Sequence, residues 1–374
     1  MRFIVSSTLL CNRLQTLSRV LSSKNSLQIL DCILFDLQGG QLRLTASDSE
    51  TTLVTTLEVK EADSEGRFAI KANTIINGLK EISEQPVTIE VNNETHEILI
   101  NYQNGKSSFV GQDGGEYPAT QQIVDGAQVL TIGSSVLLGG ISRALFATAE
   151  DELRPVMNGI YFDIAADSLT FVASDGHKLV RARSMAAHGD QPSAFILPKK
   201  PAKTLKDILS KDAGEAVVKF DDRNAVVELE NFTLSCRLIE GRYPNYNSVI
   251  PQDNPFRVSI DRMALLGALR RVLVFASTST SLIKIRIDQN TLTVSAQDID
   301  FSTSAEEHIL CDYSGNPISI GFKGTFLIDI LNSITSQDVV LELADPSRAG
   351  VIVPAEQEEN EDLLMLLMPM MLNE

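Results

Sequence analysis

Three short windows along the chain carry the same alternation of apolar and polar residues. The windows LRLTASD, LTFVASD and LTVSAQD begin at Leu42, Leu169 and Leu292. Such alternation is typical of a half-buried β-strand. An apolar run and a short polar connection precede each window, so each window is predicted to be one arm of a β-hairpin. Because the windows lie 127 and then 123 residues apart, the sequence indicates a threefold repeat.

Two helices are predicted in each third of the chain. The first follows the opening strand, because apolar residues five and nine positions after the strand end form a one-sided stripe. The second follows a later strand and shows a similar stripe. The opening strands end at Val5, Ile132 and Ile260, their N-caps are Ser6, Gly133 and Asp261, and the second stripes contain Leu79, Leu205 and Leu327.

The predicted architecture is therefore three α+β domains, each with two helices packed on one face of antiparallel sheets. Asp/Gly-rich and Pro/Asn-rich stretches place the boundaries near 126 and 253. The domains are residues 1–126, 127–253 and 254–374, and each is long enough to bury a core of its own.

Composition bounds the function. The net charge of −17 argues against a nucleic-acid partner, yet basic residues collect on or beside the predicted helices. These residues are either solvated helix faces or a surface for phosphates. The chain has no apolar run long enough to span a membrane and no signal core, and its four cysteines have no metal-ligand spacing, which predicts a cytoplasmic protein without metal or cofactor. The helix-borne basic residues include Arg13, Arg19, Lys24, Arg143, Lys199, Lys200, Lys203, Arg270 and Arg271.

No motif demands catalysis. Asp175 and His177 are the best acid and base candidates, and an inter-domain hydrolase or transferase would use them. However, Asp48 and Asp298 hold the position of Asp175 in the other repeats, so its main role is predicted to be structural. The addition specific to the middle repeat is Gly176 with His177. No nucleophile, orienting third group or cofactor motif accompanies the pair, so the chain is predicted not to be an enzyme.

The C-terminus is a Met-rich apolar run. Leu363 to Leu367 is predicted to be a strand, and Pro369 should end it. Met370 and Met371 would then lie beyond the strand. Flexible Met side chains suit a surface that accepts several apolar partners.

The chain resembles the family of bacterial DNA polymerase III beta subunits, the sliding clamps. The residues that carry the resemblance are the threefold repeat, Ser174 to His177, the Gly-Arg-Tyr-Pro run from Gly241 and the Met-Pro-Met run from Met368. The resemblance covers the whole chain. It implies a head-to-tail dimeric ring of six domains whose helices line a central hole.

In such a ring the basic helix residues contact the phosphates of an encircled duplex without reading its sequence. The alternative without DNA is a protein-binding scaffold, which would leave these residues unexplained. Lys24, Lys199 and Lys200 match DNA-contact positions of the family. The full set predicted to bind DNA is Lys24, Arg143, Lys199, Lys200, Lys203, Arg270 and Arg271.

The resemblance also implies a cleft for short linear peptides of the replicative polymerase, the clamp loader and repair proteins. Three features depart from the family pattern, namely Ser248, Met371 and the extension Asn373-Glu374, and they leave the peptide preference open. The predicted cleft comprises Arg154, Met157, Ser174, Gly176, His177, Leu179, Pro244, Val249, Leu366, Met368, Pro369, Met370 and Met371.

Ring closure is predicted to pair a strand near Lys106 to Val110 in one chain with a strand near Ser302 to Glu307 in the other. Phe109 would lie in the interface. Glu306 and Glu307 would face basic residues such as Lys106 and give the interface charge complementarity.

Overall fold

The computed structural model of the chain describes residues 1–22, 25, 27–119, 126–211 and 213–372. Contacts group the chain into two compact units, Met1–Leu137 with Lys200–Leu238, and Leu138–Lys199 with Ile239–Glu374. The three domains at 1–126, 127–253 and 254–374 remain a prediction, because the bounds of the two compact units do not coincide with them.

The helices in the described part of the chain confirm the predicted order of two per repeat. Ser6 caps the first helix, because its Oγ accepts a hydrogen bond from the backbone N–H of Leu9 at 3.1 Å. Asp261 caps the fifth in the same way through Ala264, at 2.7 Å. The helices are α1 (Ser7–Leu17), α2 (Ala72–Lys80), α3 (Ser134–Ala144), α4 (Lys199–Leu209), α5 (Arg262–Leu273) and α6 (Gly324–Ser333).

The strands alternate with these helices in chain order. They are β1 (Arg2–Ser6), β2 (Cys32–Gln38), β3 (Gln41–Ser47), β4 (Thr51–Glu58), β5 (Gly66–Lys71), β6 (Pro86–Val91), β7 (Glu97–Tyr102), β8 (Gly105–Val110), β9 (Gln112–Asp113), β10 (Gln128–Gly133), β11 (Gly159–Ile164), β12 (Leu169–Ser174), β13 (Lys178–Ser184), β14 (Ser193–Pro198), β15 (Glu215–Phe220), β16 (Asn224–Glu228), β17 (Thr233–Arg237), β18 (Phe256–Asp261), β19 (Leu282–Asp288), β20 (Thr291–Asp298), β21 (Thr303–Leu310), β22 (Ile318–Lys323), β23 (Asp338–Leu343), β24 (Gly350–Pro354) and β25 (Glu361–Leu367).

Each unit contains one small and one large sheet, and the sheet pairings within them are antiparallel. In the first unit the orders are β1-β6-β7-β8 and β10-β15-β16-β17-β4-β3-β2-β5-β9. In the second unit they are β14-β11-β12-β13-β25-β24-β23-β18 and β21-β20-β19-β22. Each large sheet joins strands of neighbouring repeats, β4 with β17 and β13 with β25. In contrast, β8 and β21 each lie at one edge of a small sheet and have a single neighbour there.

The shared Asp of the three repeats has the structural role predicted for it. Oδ1 of Asp48 accepts hydrogen bonds from the backbone N–H groups two and three residues later, at 3.0 and 2.7 Å. Asp175 does the same at 2.8 and 2.9 Å, and Asp298 at 3.0 and 3.2 Å. The side chain thus satisfies backbone donors that the turn leaves without partners.

The C-terminal prediction is also confirmed. β25 ends at Leu367, two residues before Pro369. Leu363, Met365 and Leu367 are buried in the core of the second unit, so the apolar run is a core strand followed by a separate tail.

Candidate functional site

The turn between β12 and β13 is built by its own side chains. Oγ of Ser174 donates to the carbonyl of Lys178 at 2.9 Å and accepts from the N–H of Gly176 at 3.1 Å. Gly176 has φ +89°, where a side chain is strained. A Cβ there would also lie 3.0 Å from Nη1 of Arg154. Glycine therefore allows both the turn and the close approach of an arginine.

Arg154 lies against this turn. Its Nε donates to Oδ2 of Asp151 at 2.8 Å, and its Nη2 donates to the carbonyl of Asp175 at 3.4 Å. The hydrogen bond from Arg154 helps to hold the pKa of Asp151 below its usual value. The arginine side chain remains half exposed, so the site presents a fixed cation to solvent beside the turn.

The C-terminal tail joins the same site through its backbone. The N–H of Met368 donates to the carbonyl of His177 at 2.8 Å, and the N–H of Met370 donates to the carbonyl of Gly321 at 2.8 Å. Gly321 has no room for a side chain, because an added Cβ would lie 2.6 Å from the carbonyl oxygen of Met370. The tail is thus tied to the turn before β13 on one side and to the edge strand β22 on the other.

An apolar floor lies beneath these elements. Leu179 on β13 pairs in register with Leu366 on β25, and both belong to one buried cluster of the second unit. Val249, Met368 and Met371 are exposed, whereas Met157 is buried. Apolar residues over a buried floor, with few polar groups at the rim, suit an extended peptide with apolar anchors.

Several floor residues were missed by the sequence reasoning. Tyr243 is buried and its ring stacks on that of Tyr161, with 4.8 Å between the centroids. Burial raises the pKa of the Tyr243 hydroxyl. A sequence signal was available, because Tyr243 recurs as Tyr117 in the Gly-Glu-Tyr-Pro run near the end of the first repeat. Both tyrosines are buried. Other residues of this cluster that were not predicted are Val156, Val172, Ile196, Ile239, Tyr246, Ile250, Ala349 and Leu364.

Asp175, the acid of the catalytic alternative, is bonded to Lys178 and to the backbone of its own turn. Burial opposes ionisation of Asp175, yet hydrogen bonds from Lys178 and from the N–H of His177 hold its pKa below the usual value. The Lys178 ammonium is itself buried, pairs with Asp175 and lies 3.8 Å from the ring centroid of Phe326 on α6. Asp175 is therefore an ionised carboxylate committed to the turn.

The residues predicted to bind DNA fall into different environments. Lys24 lies outside the described residues. Lys199 pairs with Glu150 at 2.6 Å, and Lys200 pairs with Asp48. Arg270 donates to Asn332 at 3.0 Å. Lys203 is exposed on α4 and forms no ion pair with the described residues.

Arg143 departs most from the prediction. Its side chain is only 13% exposed and pairs with Glu358 at 3.1 Å and with Glu361. These residues line a surface groove of about 430 Å³ together with Thr335, Asp338 and Glu356, which we call the acidic groove. In this conformation the two carboxylates occupy the guanidinium, so Arg143 is not available to a phosphate.

The residues predicted to form the dimer interface lie on the outer strands β8 and β21. Lys106 is exposed and Phe109 half-buried on β8, and Glu306 is exposed on β21. Glu307 faces its own chain, because Arg271 donates two hydrogen bonds to it at 2.7 and 2.6 Å. Exposed apolar residues near these strands were not predicted, namely Val110, Val274, Ile299, Phe301 and Leu310.

Neither a metal site nor a membrane-spanning helix is found in the described part of the chain. The described residues contain no cluster of His, Cys, Asp and Glu that could hold a metal ion. None of the described helices has both the length and the apolar character needed to cross a membrane.

Comparison with known proteins matches this arrangement of repeats. The family models for the three domains of the DNA polymerase III beta subunit match the chain in order. The N-terminal domain matches residues 1–121, the central domain 131–245 and the C-terminal domain 247–371. The beta sliding clamp of Pseudomonas putida is 25% identical over 374 residues, with 100% of each chain covered.

Solved structures agree in fold. The sliding clamp of Pseudomonas aeruginosa, solved with a ligand, has a TM-score of 0.91 and 24% identity, with 100% of each chain covered. The clamp of Bartonella birtlesii bound to griselimycin has a TM-score of 0.93 and 24% identity, again over 100% of each chain. The repeated fold and these matches define a DNA sliding clamp, an accessory protein of replication. The chain belongs to the DNA polymerase III beta subunit family.

Proposed function

We propose that two copies of this chain close head to tail into a ring around duplex DNA. The ring holds DNA independently of sequence and tethers the replicative polymerase, the clamp loader and repair proteins through their short peptides. The chain itself performs no catalytic step, and it acts in the cytoplasm, where bacterial DNA is replicated. The observation that carries the proposal is the pair of open strand edges, β8 and β21.

Two strand pairs join neighbouring repeats within the chain, β4 with β17 and β13 with β25. Their register predicts how β21 of one copy should pair with β8 of the other. The residue three positions after each turn Asp is Thr51, Lys178 or Phe301. Thr51 pairs with Cys236, and Lys178 pairs with Leu367, both antiparallel. In the third repeat the equivalent strand is β21, which has only one neighbour in its sheet.

The equivalent of Cys236 in the first repeat is Phe109. Cys236 lies opposite Ala225, which closes a hairpin with Phe220. Phe109 likewise lies opposite Ile98, which closes a hairpin with Val91.

Phe301 should therefore face Phe109 of the second copy, and Ser304 should face Lys106. This register places Glu306 diagonal to Lys106, within reach of a long side chain.

An engineered disulfide tests the register. Ser304→Cys combined with Lys106→Cys should cross-link the dimer under mild oxidation, because the two exposed positions face each other. The matched control is Ser304→Cys with Ser107→Cys, which is one residue out of register and points to the other face of the sheet. Equal cross-linking of both pairs, or a stable monomer in sedimentation, would refute this closure.

Topological binding is tested with circular DNA. Protein loaded on a closed circle should stay bound at high salt and be released once the circle is linearised. Equal retention on both forms would contradict encirclement and favour ordinary DNA binding.

The peptide cleft is supported by the convergence of the turn at Gly176, the Arg154 cation and the Met-rich tail on one apolar floor. Deleting residues 368–374 should abolish binding of a polymerase-derived peptide while the dimer remains intact. As a control, Arg257→Gln on β18 should leave peptide binding unchanged. Unchanged binding by the deletion variant would place the cleft elsewhere.

A further inference from the structure

The methionines at the candidate cleft fall into a buried group and an exposed group. Met157 and Met365 are buried, and Sδ of Met365 accepts a hydrogen bond from Oγ of Ser333 at 3.5 Å. Met368 and Met371, in contrast, are 42% and 90% exposed. A dissolved oxidant reaches exposed thioethers before those in a packed core. The exposed pair is therefore the part of the site that is open to oxidation.

The backbone holds these exposed side chains in place. The N–H of Met368 donates to the carbonyl of His177 at 2.8 Å, and the N–H of Met370 donates to the carbonyl of Gly321 at 2.8 Å. Neither bond involves a side chain, and β25 ends before the tail, at Leu367. A chemical change at the tail sulfurs thus leaves the core strand intact and keeps the modified side chains at the cleft.

Methionine reacts with peroxides by oxygen transfer. A lone pair of the thioether sulfur attacks one oxygen of hydrogen peroxide, the S–O bond forms and the O–O bond breaks. The proton of the attacked hydroxyl moves to the departing hydroxide, so that water leaves. The sulfur is oxidised by two electrons, the peroxide is reduced, and the product is a polar sulfoxide. An apolar anchor that covers this oxygen leaves it without a hydrogen bond, which costs free energy.

We propose that Met368 and Met371 form a peroxide-sensitive modification site of the cleft. Their oxidation to methionine sulfoxide releases the partner peptide, and methionine sulfoxide reductases, which reduce the sulfoxide with thiols, restore binding. The inference rests on the proposed function, since it takes this surface as the peptide cleft. It adds a means by which an oxidising environment detaches partner proteins without opening the dimer.

Met185 supplies a matched control within the same chain. It is 41% exposed, close to the value for Met368. It follows the opposite end of β13 from Lys178, at a distance of about 23 Å for a strand that rises ~3.3 Å per residue. Oxidation of Met185 should therefore accompany that of the tail without affecting the cleft.

The test treats the whole dimer with increasing hydrogen peroxide and follows two quantities. Mass spectrometry of proteolytic fragments gives the sulfoxide fraction at each methionine, and fluorescence anisotropy gives the affinity for a polymerase-derived peptide. Met368 and Met371 should be oxidised before Met365. Affinity should fall by about tenfold or more, as expected when one polar oxygen is buried without a partner. Treatment with a sulfoxide reductase and a thiol should restore it.

Leucine variants identify the responsible residues. Met368→Leu combined with Met371→Leu keeps apolar side chains of similar size, so it should bind the peptide and keep its affinity after peroxide. Met185→Leu should lose affinity as wild type does. Equal loss in the double variant and in wild type would overturn the assignment to these two residues. If the double variant binds weakly before treatment, wild type decides, and failure of the reductase to restore its affinity overturns the proposal.

A polar substitution gives an independent measurement without oxidant. Met371→Gln places a polar group at the exposed position and should weaken peptide binding, while the midpoint of thermal unfolding stays that of wild type. Failure of the proposed function looks different, because untreated wild-type protein would then not bind the peptide. Equal affinity before and after full oxidation of Met368 and Met371 would refute the modification site alone.

Discussion

Two surface grooves, each formed by two neighbouring repeats, occupy equivalent places but differ in charge. The basic groove, of about 340 Å³, is lined by Arg13, Arg19, Asp207 and Lys211, and the acidic groove is the one around Arg143. The first is formed by α1, the end of α4 and the loop of residues 229–232, and the second by α3, the segment after α6 and the loop of residues 355–360. Thr16 and Arg143 hold the same position on their helices, 127 residues apart. The backbone frame is shared between the repeats while the charge is not.

The loops account for the difference. The loop at residues 229–232 contributes Asn231 and Phe232, which orient Arg13, and Glu230, whose charge acts on Arg13 without a direct ion pair. The longer loop at 355–360 is followed by Glu361 and contains Glu358, and these two carboxylates neutralise Arg143. Arg143 is therefore neutralised by two direct ion pairs, whereas Arg13 forms no ion pair with the described residues.

The largest effect is expected in the free energy of unfolding, which should respond differently to substitutions in the two grooves. Arg143→Ala should destabilise the protein by about 2 kcal/mol, because it leaves Glu361 partly buried without its partner. Thr16→Ala at the equivalent position should cost less than about 0.5 kcal/mol, since among the described residues its hydroxyl bonds only to the carbonyl of Asn12. Urea unfolding of both variants measures the comparison. Equal destabilisation would show that Arg143 is not held by its carboxylates.

A smaller effect should appear in DNA binding. Glu358→Gln combined with Glu361→Gln should free Arg143 and make the acidic groove resemble the basic one. The salt dependence of duplex binding should then steepen by about 0.9 for each arginine that gains a phosphate. The control is Glu94→Gln with Glu97→Gln, which removes two exposed charges in the first unit. An identical change in both double variants would mean that net charge alone governs binding.

The smallest effect concerns pH. Hydrogen bonding from Thr335, at 2.6 Å, and the charge of Arg143 hold the pKa of Glu358 below its ordinary 4.5. A carboxyl group with a lowered folded-state pKa stabilises the protein above its unfolded pKa, and that stability is lost as pH falls through the folded pKa.

Thr335→Val should therefore lower the midpoint of thermal unfolding at neutral pH and reduce the further loss on acidification below about pH 4.5. Thr16→Val in the basic groove removes no bond to a titrating group, so its acid dependence should match that of wild type. The same dependence in Thr335→Val and wild type would rule out this contribution.

The elements that repeat could be predicted from the sequence. The helix caps at Ser6 and Asp261, the turn role of Asp175 and the end of the last strand before Pro369 all depend on residues close in sequence. Local hydrogen bonds and side-chain periodicity decide such features, and both are readable from one stretch of chain.

The partners of single side chains could not be predicted. Arg143 is neutralised by residues more than two hundred positions away, and Arg13 is oriented by Asn231 at a similar distance. The sequence shows these arginines as equally basic helix residues, because burial and partners depend on the packing of distant segments. Tyr243 differs from these arginines, because its recurrence as Tyr117 in the first repeat was visible in the sequence.

The three Asp turns have a consequence for how such a chain diversifies. Each carboxylate bonds through Oδ1 to backbone N–H groups, so the residues that supply those groups are free to vary in their side chains. The varying positions of this turn hold Thr51 in the first repeat, His177 in the second and the exposed Phe301 in the third. Separating the residue that sets the shape from those that meet other molecules lets selection alter the latter without refolding the former.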